Sequence, residues 1–383
     1  MVIATLAALN PVALCQLPTY YVDGVVASLV TATIACCLLF LIEPRKLTLA
    51  TFAVSISLLA AVKTSGLVYG AVIALGLVLG AVVWRRVLVF RLASTALGAF
   101  LAATLVLAFH PYVTNAARYE SPLYPFIGAG DRGAERIIGA QRPRGFGELG
   151  RGTRLAVSLA SRSQNVIKPH PAALKLPFSA RETEWTVFSI PDVRVGGFGP
   201  LFSAALLFAA ITFAASLARS PNERRRTDHR AAGLAAAVIV ASVLVTPEGW
   251  WARLAPQMWL LPLVLVVPSL AKDGDRRLPR FAAVATLGLM AVNTLGVGAV
   301  NFNHNLRLTR SVSRQLDELA HSGREVAVDF GWAESNRVRF ERRRIDYHEV
   351  EASRMASRPT GTLAPFQAVK YWVESGEPPP EDR

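Results

Sequence analysis

Apolar stretches of roughly 16 to 22 residues recur along this chain as far as residue 299. A helix rises about 1.5 Å per residue, so about 20 apolar residues cross the ~30 Å hydrocarbon layer of a bilayer. A helix in water needs one polar face, and these stretches have none. The spans expected from the pattern are 24–42, 48–62, 66–84, 92–109, 197–218, 231–246, 257–271 and 281–299. The opening MVIATLAAL has half the length of a span. Lys63-Thr64-Ser65 separates the second and third spans, which read either as one broken helix or as a tight hairpin. The expected fold class is an all-α polytopic membrane protein with about eight full transmembrane helices, plus a partial one at the start. Recurrence of the pattern to residue 299 excludes a cleaved leader on a secreted protein.

Short loops give the orientation, because Lys and Arg are retained on the cytoplasmic side. EPRK (43–46), WRR (84–86, with Arg91), RSPNERRRTDHR (219–230) and KDGDRRLPR (272–280) fall on one side if the spans alternate. The other side then carries Asp23, Lys63, the segment 110–196, PEGWWAR (247–253) and the tail. The expected divisions are a membrane block (1–109), a long extracytoplasmic loop (110–196), a second membrane block (197–299) and an extracytoplasmic tail (300–383). No repeat with a fixed period is present, and no pair of broken helices occupies matching positions, which disfavours a transporter.

The net charge of +14 is not a nucleic-acid footprint, since much of it lies in the short loops. The tail has 13 basic and 13 acidic residues. The loop 110–196 has 12 basic against 7 acidic, a net of +5 that orientation does not explain. It fits either an anionic headgroup or phosphate-bearing substrate, or ordinary solvation beside anionic lipid. Cys15, Cys36 and Cys37 are the only cysteines, so the outer parts have no disulfide framework and no thiolate metal site. Cys36-Cys37 reads as lipid-facing or packing filler.

Within the loop, 128–152 is rich in Gly and Arg and reads as flexible. The aromatic, Pro-rich ends HPYVTNAARYESPLYPF and ETEWTVFSIPDVRVGGFGPLF have the composition of interfacial segments. RVGGFGPLF lacks the features of a phosphate loop and reads as a re-entrant stretch or a tight turn before the next span. The tail reads as a small α/β unit: helix SVSRQLDELAHSG, strand REVAVDFG, helix ESNRVRFERRRI, strand DYHEVE and helix PFQAVKYWVE.

The segments NPVALCQLPTYYVDGVVASL, AVKTSGLVYG, HPYVTN…SPLYPF, RVGGFGPLF and WWARLAPQMWLLP, in that order, resemble the C-type polytopic glycosyltransferases. That family transfers a sugar from a polyprenyl-phosphate carrier to an acceptor on the outer membrane face. The resemblance implies a lipid-linked sugar and membrane lipids as partners, and a cell-envelope glycan or lipid as acceptor. It also implies a divalent metal, magnesium or manganese, with Asp23 as a ligand. The family's first outer loop carries an acidic residue that serves as base. Here MVIATLAAL matches the middle of the block and nothing acidic precedes Asp23. The expectation is therefore a chain lacking an upstream portion, or one whose activity is lost.

Displacing a polyprenyl phosphate leaves an anion, so the site needs cations or a metal, and a carboxylate to take the acceptor's proton. Asp23 and Glu120 are the candidate carboxylates. Asp23 is equally a helix N-cap, and the two readings are compatible. Lys63, an ionisable residue amid apolar spans, either faces a cavity or snorkels. Arg253, beside a tryptophan pair, either touches a lipid phosphate or anchors an aromatic belt. His110 and Arg118, with Glu120, flank SPLYPF; each alone reads as structural, and together they would form a phosphate and acceptor pocket. The rival readings are a non-catalytic or truncated membrane subunit acting with a partner subunit, and a polysaccharide polymerase or ligase independent of metal.

Overall fold

The computed structural model describes residues 1–124, 139–166, 169–218, 223–270, 277–355, 361–364 and 368–374. It comprises two compact units, Met1–Asn301 and Phe302–Arg383.

The first unit is helical. Two short helices, α1 (Val2–Ala8) and α2 (Pro11–Gln16), precede α3 (Asp23–Ile42), α4 (Lys46–Val62), α5 (Thr64–Trp84), α6 (Val89–Ala102) and α7 (Phe109–Tyr119). Asn10 caps α2 by accepting the Val12 N–H at 3.0 Å, with Pro11 at the first helical position, where its missing N–H costs nothing. Further along lie α8 (Arg151–Leu159), α9 (Glu182–Thr186), α10 (Phe202–Ala218), α11 (Glu223–Leu244), α12 (Leu260–Val266) and α13 (Arg277–Ser322).

Among the described residues, five helical stretches are long and apolar enough to cross a membrane: Asp23–Ile42, Thr64–Trp84, Arg86–Leu107, Arg226–Leu244 and Arg277–Ser322. The other three expected spans are shorter apolar helices, Lys46–Val62, Phe202–Ala218 and Pro256–Ser269. The described residues thus support five full spans and do not confirm the expected count of about eight. In the last of these, Pro256, Pro262 and Pro268 each lack an N–H donor, and only Leu260–Val266 is α-helical between 3₁₀ turns. The stretch expected at 92–109 loses α-geometry at a π-turn, Ala103–Leu107, before α7 begins.

The second and third expected spans form a hairpin. Lys63 is extended (φ −160°, ψ 145°), and α4 and α5 pack side by side. Gly66 permits this closeness, since a Cβ there would lie 2.1 Å from the Leu59 carbonyl oxygen. Gly76 and Gly80 let α5 pack against the Val238 and Leu234 side chains of α11. Lipid gives apolar side chains no reason to leave it, so close backbone approach of this kind is what holds helices together in a membrane. Phe40, Phe52, Ile56, Leu59, Tyr69, Ile73 and Trp259 fill the core, while Val54, Leu58, Leu75, Leu79 and Val83 point outward.

The segment between α7 and α10 is largely folded where described. Of the stretch expected to be flexible, 128–138 lies outside the described residues. The remainder, 139–152, packs down, with Phe146 buried edge-on against Trp250 at 5.0 Å. Trp250 and Trp251 are both buried among Phe146, Val195 and Leu254, so they form no lipid-facing aromatic belt. RVGGFGPLF makes the tight turn, with Gly196 (φ +59°) and Gly199 (φ +106°) in conformations that favour glycine. Asn293 of α13 holds that turn, donating to the Phe198 carbonyl at 2.7 Å and accepting the Leu201 N–H at 2.9 Å.

The second unit begins within α13. SVSRQLDELAHS is the end of this helix rather than a separate one, because no breaker intervenes before Gly323, whose left-handed φ of +60° follows the last turn. The sheet has the order β2-β1-β4-β3. Its strands are β1 (Val326–Asp329), β2 (Tyr347–Glu349), β3 (Gly361–Thr362) and β4 (Lys370–Val373). β1 runs parallel to β2 and antiparallel to β4. Arg337–Arg342 (α14) supplies the expected second helix. The expected last helix is instead β4, because Val369, Tyr371 and Val373 repeat every second residue and pack on one core with Val326, Val328, Phe330 and Phe340.

Candidate functional site

Asp23 is the first residue of α3, but it does not cap it. The N-cap position is Val22, and the Gly24 N–H is accepted instead by the Gln16 side chain at 2.8 Å. Thr19 supports the connecting turn by donating to the Gln16 carbonyl at 2.8 Å and accepting the Tyr21 N–H at 3.1 Å. The Asp23 carboxylate is thereby left for another partner, and it is ion-paired with the Lys63 ammonium. Asp23 is only 3% exposed, so an unpaired charge there would be costly. Its position in the first helical turn also suits the helix dipole. Lys63 is held in a pair rather than snorkelling.

A second acid–base cluster lies within electrostatic reach of Asp23. Asp192 accepts from Trp251 Nε1 at 2.7 Å and from Arg253 Nη1 at 3.0 Å. The Arg253 guanidinium lies 4.4 Å from the Trp251 ring and 5.2 Å from the Tyr21 ring. Arg194 lies 5.1 Å from the same Trp251 ring and donates to Asn165 at 2.6 Å and Gln141 at 2.7 Å. Burial pushes the Asp192 carboxyl up from its ordinary value, and Arg253 opposes this without overcoming it. Burial also lowers the Arg194 guanidinium from its usual range, against the pull of Asp192.

Three buried donors here have no partner: Nε of Arg194, Nε of Arg253 and Nε2 of Gln16. Leaving such a group unmet costs about 1–3 kcal/mol. The cluster thus presents two aromatic-stacked guanidiniums, an ammonium and spare N–H donors at one end of the apolar helices. That chemistry suits an oxyanion attached to something apolar.

Two further buried carboxylates fix the loop around this site. Glu184 binds Arg162 at 2.8 Å and Lys175 at 2.7 Å, and accepts the Ser163 N–H at 3.3 Å. Burial lowers the Lys175 pKa, with Glu184 acting against the shift. Glu248 is ion-paired with Arg142, has Arg154 at 3.7 Å and accepts from Trp250 Nε1. Tyr69, buried in α5, donates to the Leu254 carbonyl beside Arg253.

Of the residues expected in a site, Asp23 and Lys63 come together and Arg253 joins them through its neighbours. His110, Arg118 and Glu120 do not. All three are exposed on or just after α7. His110 bonds Thr114 at 2.9 Å, and Glu120 has the left-handed φ of +55° that ends the helix. No hydrogen bond or ion pair among the described residues joins them to Asp23 or Arg253. The donor set does not fit a divalent metal either: Asp23 is neutralised by Lys63, and both Asp192 oxygens are taken by Trp251 and Arg253. Among the described residues, no three His, Cys, Asp or Glu side chains group as ligands.

Gln16, Tyr21, Asp192 and Arg194 were not singled out from sequence. The available signal was the acid of SIPDVRV within the aromatic, Pro-rich end of the loop. No family model matches the chain, and no curated protein or solved structure matches it either.

Proposed function

We propose that this protein handles a polyprenyl-phosphate-linked sugar at the outer face of a bacterial inner membrane, as a C-type-glycosyltransferase-like protein with its loop and tail extracytoplasmic. One juxtaposition carries the reading: the Asp23–Lys63 pair beside the Asp192–Arg253–Arg194 cluster, with spare N–H donors and stacked aromatic rings. In transfer, the bond between the sugar's anomeric carbon and the carrier phosphate oxygen breaks, and a bond from the acceptor oxygen forms. Lys63, Arg194 and Arg253 would stabilise the phosphate as it leaves. As Lys63 turns to that phosphate, Asp23 is released to take the acceptor's proton.

A second reading, a carrier-binding subunit without transfer activity, is favoured by one observation. Each acid in the cluster already faces a cation, which leaves no free base. The deciding experiment uses the purified protein in vesicles containing a polyprenyl-phosphate sugar, with and without an acceptor glycan. Arg253→Gln should weaken carrier binding at least tenfold under either reading. Asp23→Asn should abolish transfer while sparing binding if the protein is an enzyme. Binding by the wild type with no transfer to any acceptor supports the subunit, and no carrier binding at all overturns both.

A further inference from the structure

The loop sequence LKLPF alternates in a way its surroundings explain. Leu174, Leu176 and Phe178 are 64%, 78% and 54% exposed, while Lys175 between them turns inward to Glu184 and to the Pro200 carbonyl oxygen. Three large apolar side chains on one edge of an irregular segment are anomalous in water.

The segment is not loose. Lys175 N donates to the Ala160 carbonyl at 3.0 Å, and the Ala173 carbonyl accepts the Arg162 N–H at 2.8 Å. The Leu176 carbonyl accepts from both N and Oγ of Ser179, at 2.9 and 2.8 Å. Pro177 has no N–H to satisfy, and its carbonyl accepts from Ser203 Oγ at 3.4 Å. Non-helical backbone enters hydrocarbon only where such groups are met by protein, and here several are.

Position supplies the occupant. Phe178 meets Phe208 of α10 edge-on at 5.3 Å, and the neighbouring Leu207 and Ile211 are 42% and 57% exposed on that apolar helix. Phe208 lies six residues past the start of α10, about 9 Å along its axis at ~1.5 Å per residue. With the start of α10 taken as the level of the bilayer surface, that is the ~5–10 Å to which interfacial segments bury their apolar faces. The edge of LKLPF is thus continuous with the outward face of α10.

We propose that residues 174–178 are a membrane wedge, with Leu174, Leu176 and Phe178 seated among lipid acyl chains and the Lys175–Glu184 pair anchoring it from behind. The inference is independent of the carrier reading, since none of its residues belongs to the Asp23 or Asp192 clusters. The test uses nitroxides on single cysteines in the full chain, with Cys15, Cys36 and Cys37 replaced by Ala, in phosphatidylcholine–phosphatidylglycerol vesicles. Leu174→Cys and Leu176→Cys labels should collide with oxygen and be shielded from a water-soluble nickel chelate, as an Ile211→Cys label in α10 is. Gly147→Cys, exposed elsewhere in the loop, serves as the aqueous control. Labels at both 174 and 176 that match Gly147→Cys would overturn the proposal. The two positions read out separately, so a failure of one variant to reconstitute leaves the other decisive.

Discussion

Lys63 stands in extended conformation between two helices, and its ammonium closes on the Asp23 carboxylate 40 positions earlier in the chain. The pair joins the α4–α5 turn to the start of α3. Removing one member strands a charge in a buried place, whereas removing both does not. Lys63→Met should therefore destabilise the protein by about 3 kcal/mol, and the double variant Asp23→Asn, Lys63→Met should recover most of that loss. Thermal unfolding in detergent, followed by tryptophan fluorescence, measures both. With Asp23→Asn measured as well, a double-variant loss equal to the sum of the two single losses would mean that the pair carries no coupling.

Asp192 predicts a pH dependence. A carboxyl whose folded pKa lies above the ordinary 3.8 takes up protons more readily in the native state. Its contribution favours the fold as pH falls through the raised value, and that contribution is lost as pH rises above it. Protonation also releases Arg253 from its counter-charge. Affinity for a polyprenyl-phosphate sugar, whose diester does not titrate in this range, should rise several-fold as pH falls through the Asp192 pKa. Asp192→Asn should bind tightly at neutral pH and lack this rise as pH falls. A wild-type profile that also lacks it would refute the role.

Glu184 gathers Arg162, Lys175 and the Ser163 N–H from separate parts of the loop. Glu184→Gln keeps the shape but leaves Lys175 without its counter-charge, at a cost of about 3 kcal/mol. The expected outcome is faster hydrogen exchange and proteolysis confined to residues 161–200, with the apolar helices unchanged. Uniform loosening of the whole unit would place the effect elsewhere.

Gly66 and Gly98 make a matched test of packing. A Cβ at Gly66 would strike the Leu59 carbonyl, while one at Gly98 would meet nothing within 4 Å. Gly66→Ala should lower stability by about 1–3 kcal/mol by prising the hairpin apart. Gly98→Ala, in the middle of α6, should be neutral or stabilising by up to about 1 kcal/mol. The two thermal midpoints, compared side by side, check the packing directly.

Hydropathy alone located the long helices, because lipid exposure demands apolar residues over a fixed length. It did not show where helices break. Pro256 and Pro268 stand in 3₁₀ turns on either side of Leu260–Val266, and the π-turn after Ala102 falls in a run that stays apolar, so hydropathy is blind to both breaks. Period was the weak signal in the tail, where PFQAVKYWVE reads as a helix but Val369, Tyr371 and Val373 alternate and β1 supplies the strand partner. In the site, Asp23 and Lys63 were legible because each is a lone charge in apolar sequence. The role of Asp23 was not, because Gln16 does the capping that an aspartate before a helix would ordinarily do. Asp192 and Arg194 were hidden by distance: their significance depends on Trp251 and Arg253, about sixty residues away.

The bonds between the two ends of the first unit also constrain how it is made. Asn10 donates to the Pro256 carbonyl, Thr294 to the Leu9 carbonyl and Trp259 to the Leu6 carbonyl. The turn at Phe198 and Leu201 waits on Asn293 in the same way. Earlier-made residues thus depend on later-made ones. During synthesis Asn10 and the Leu6 carbonyl wait for Pro256 and Trp259, and the Leu9 carbonyl and the 198–201 turn wait longer, for Thr294 and Asn293, so α13 acts as the clasp that completes the unit.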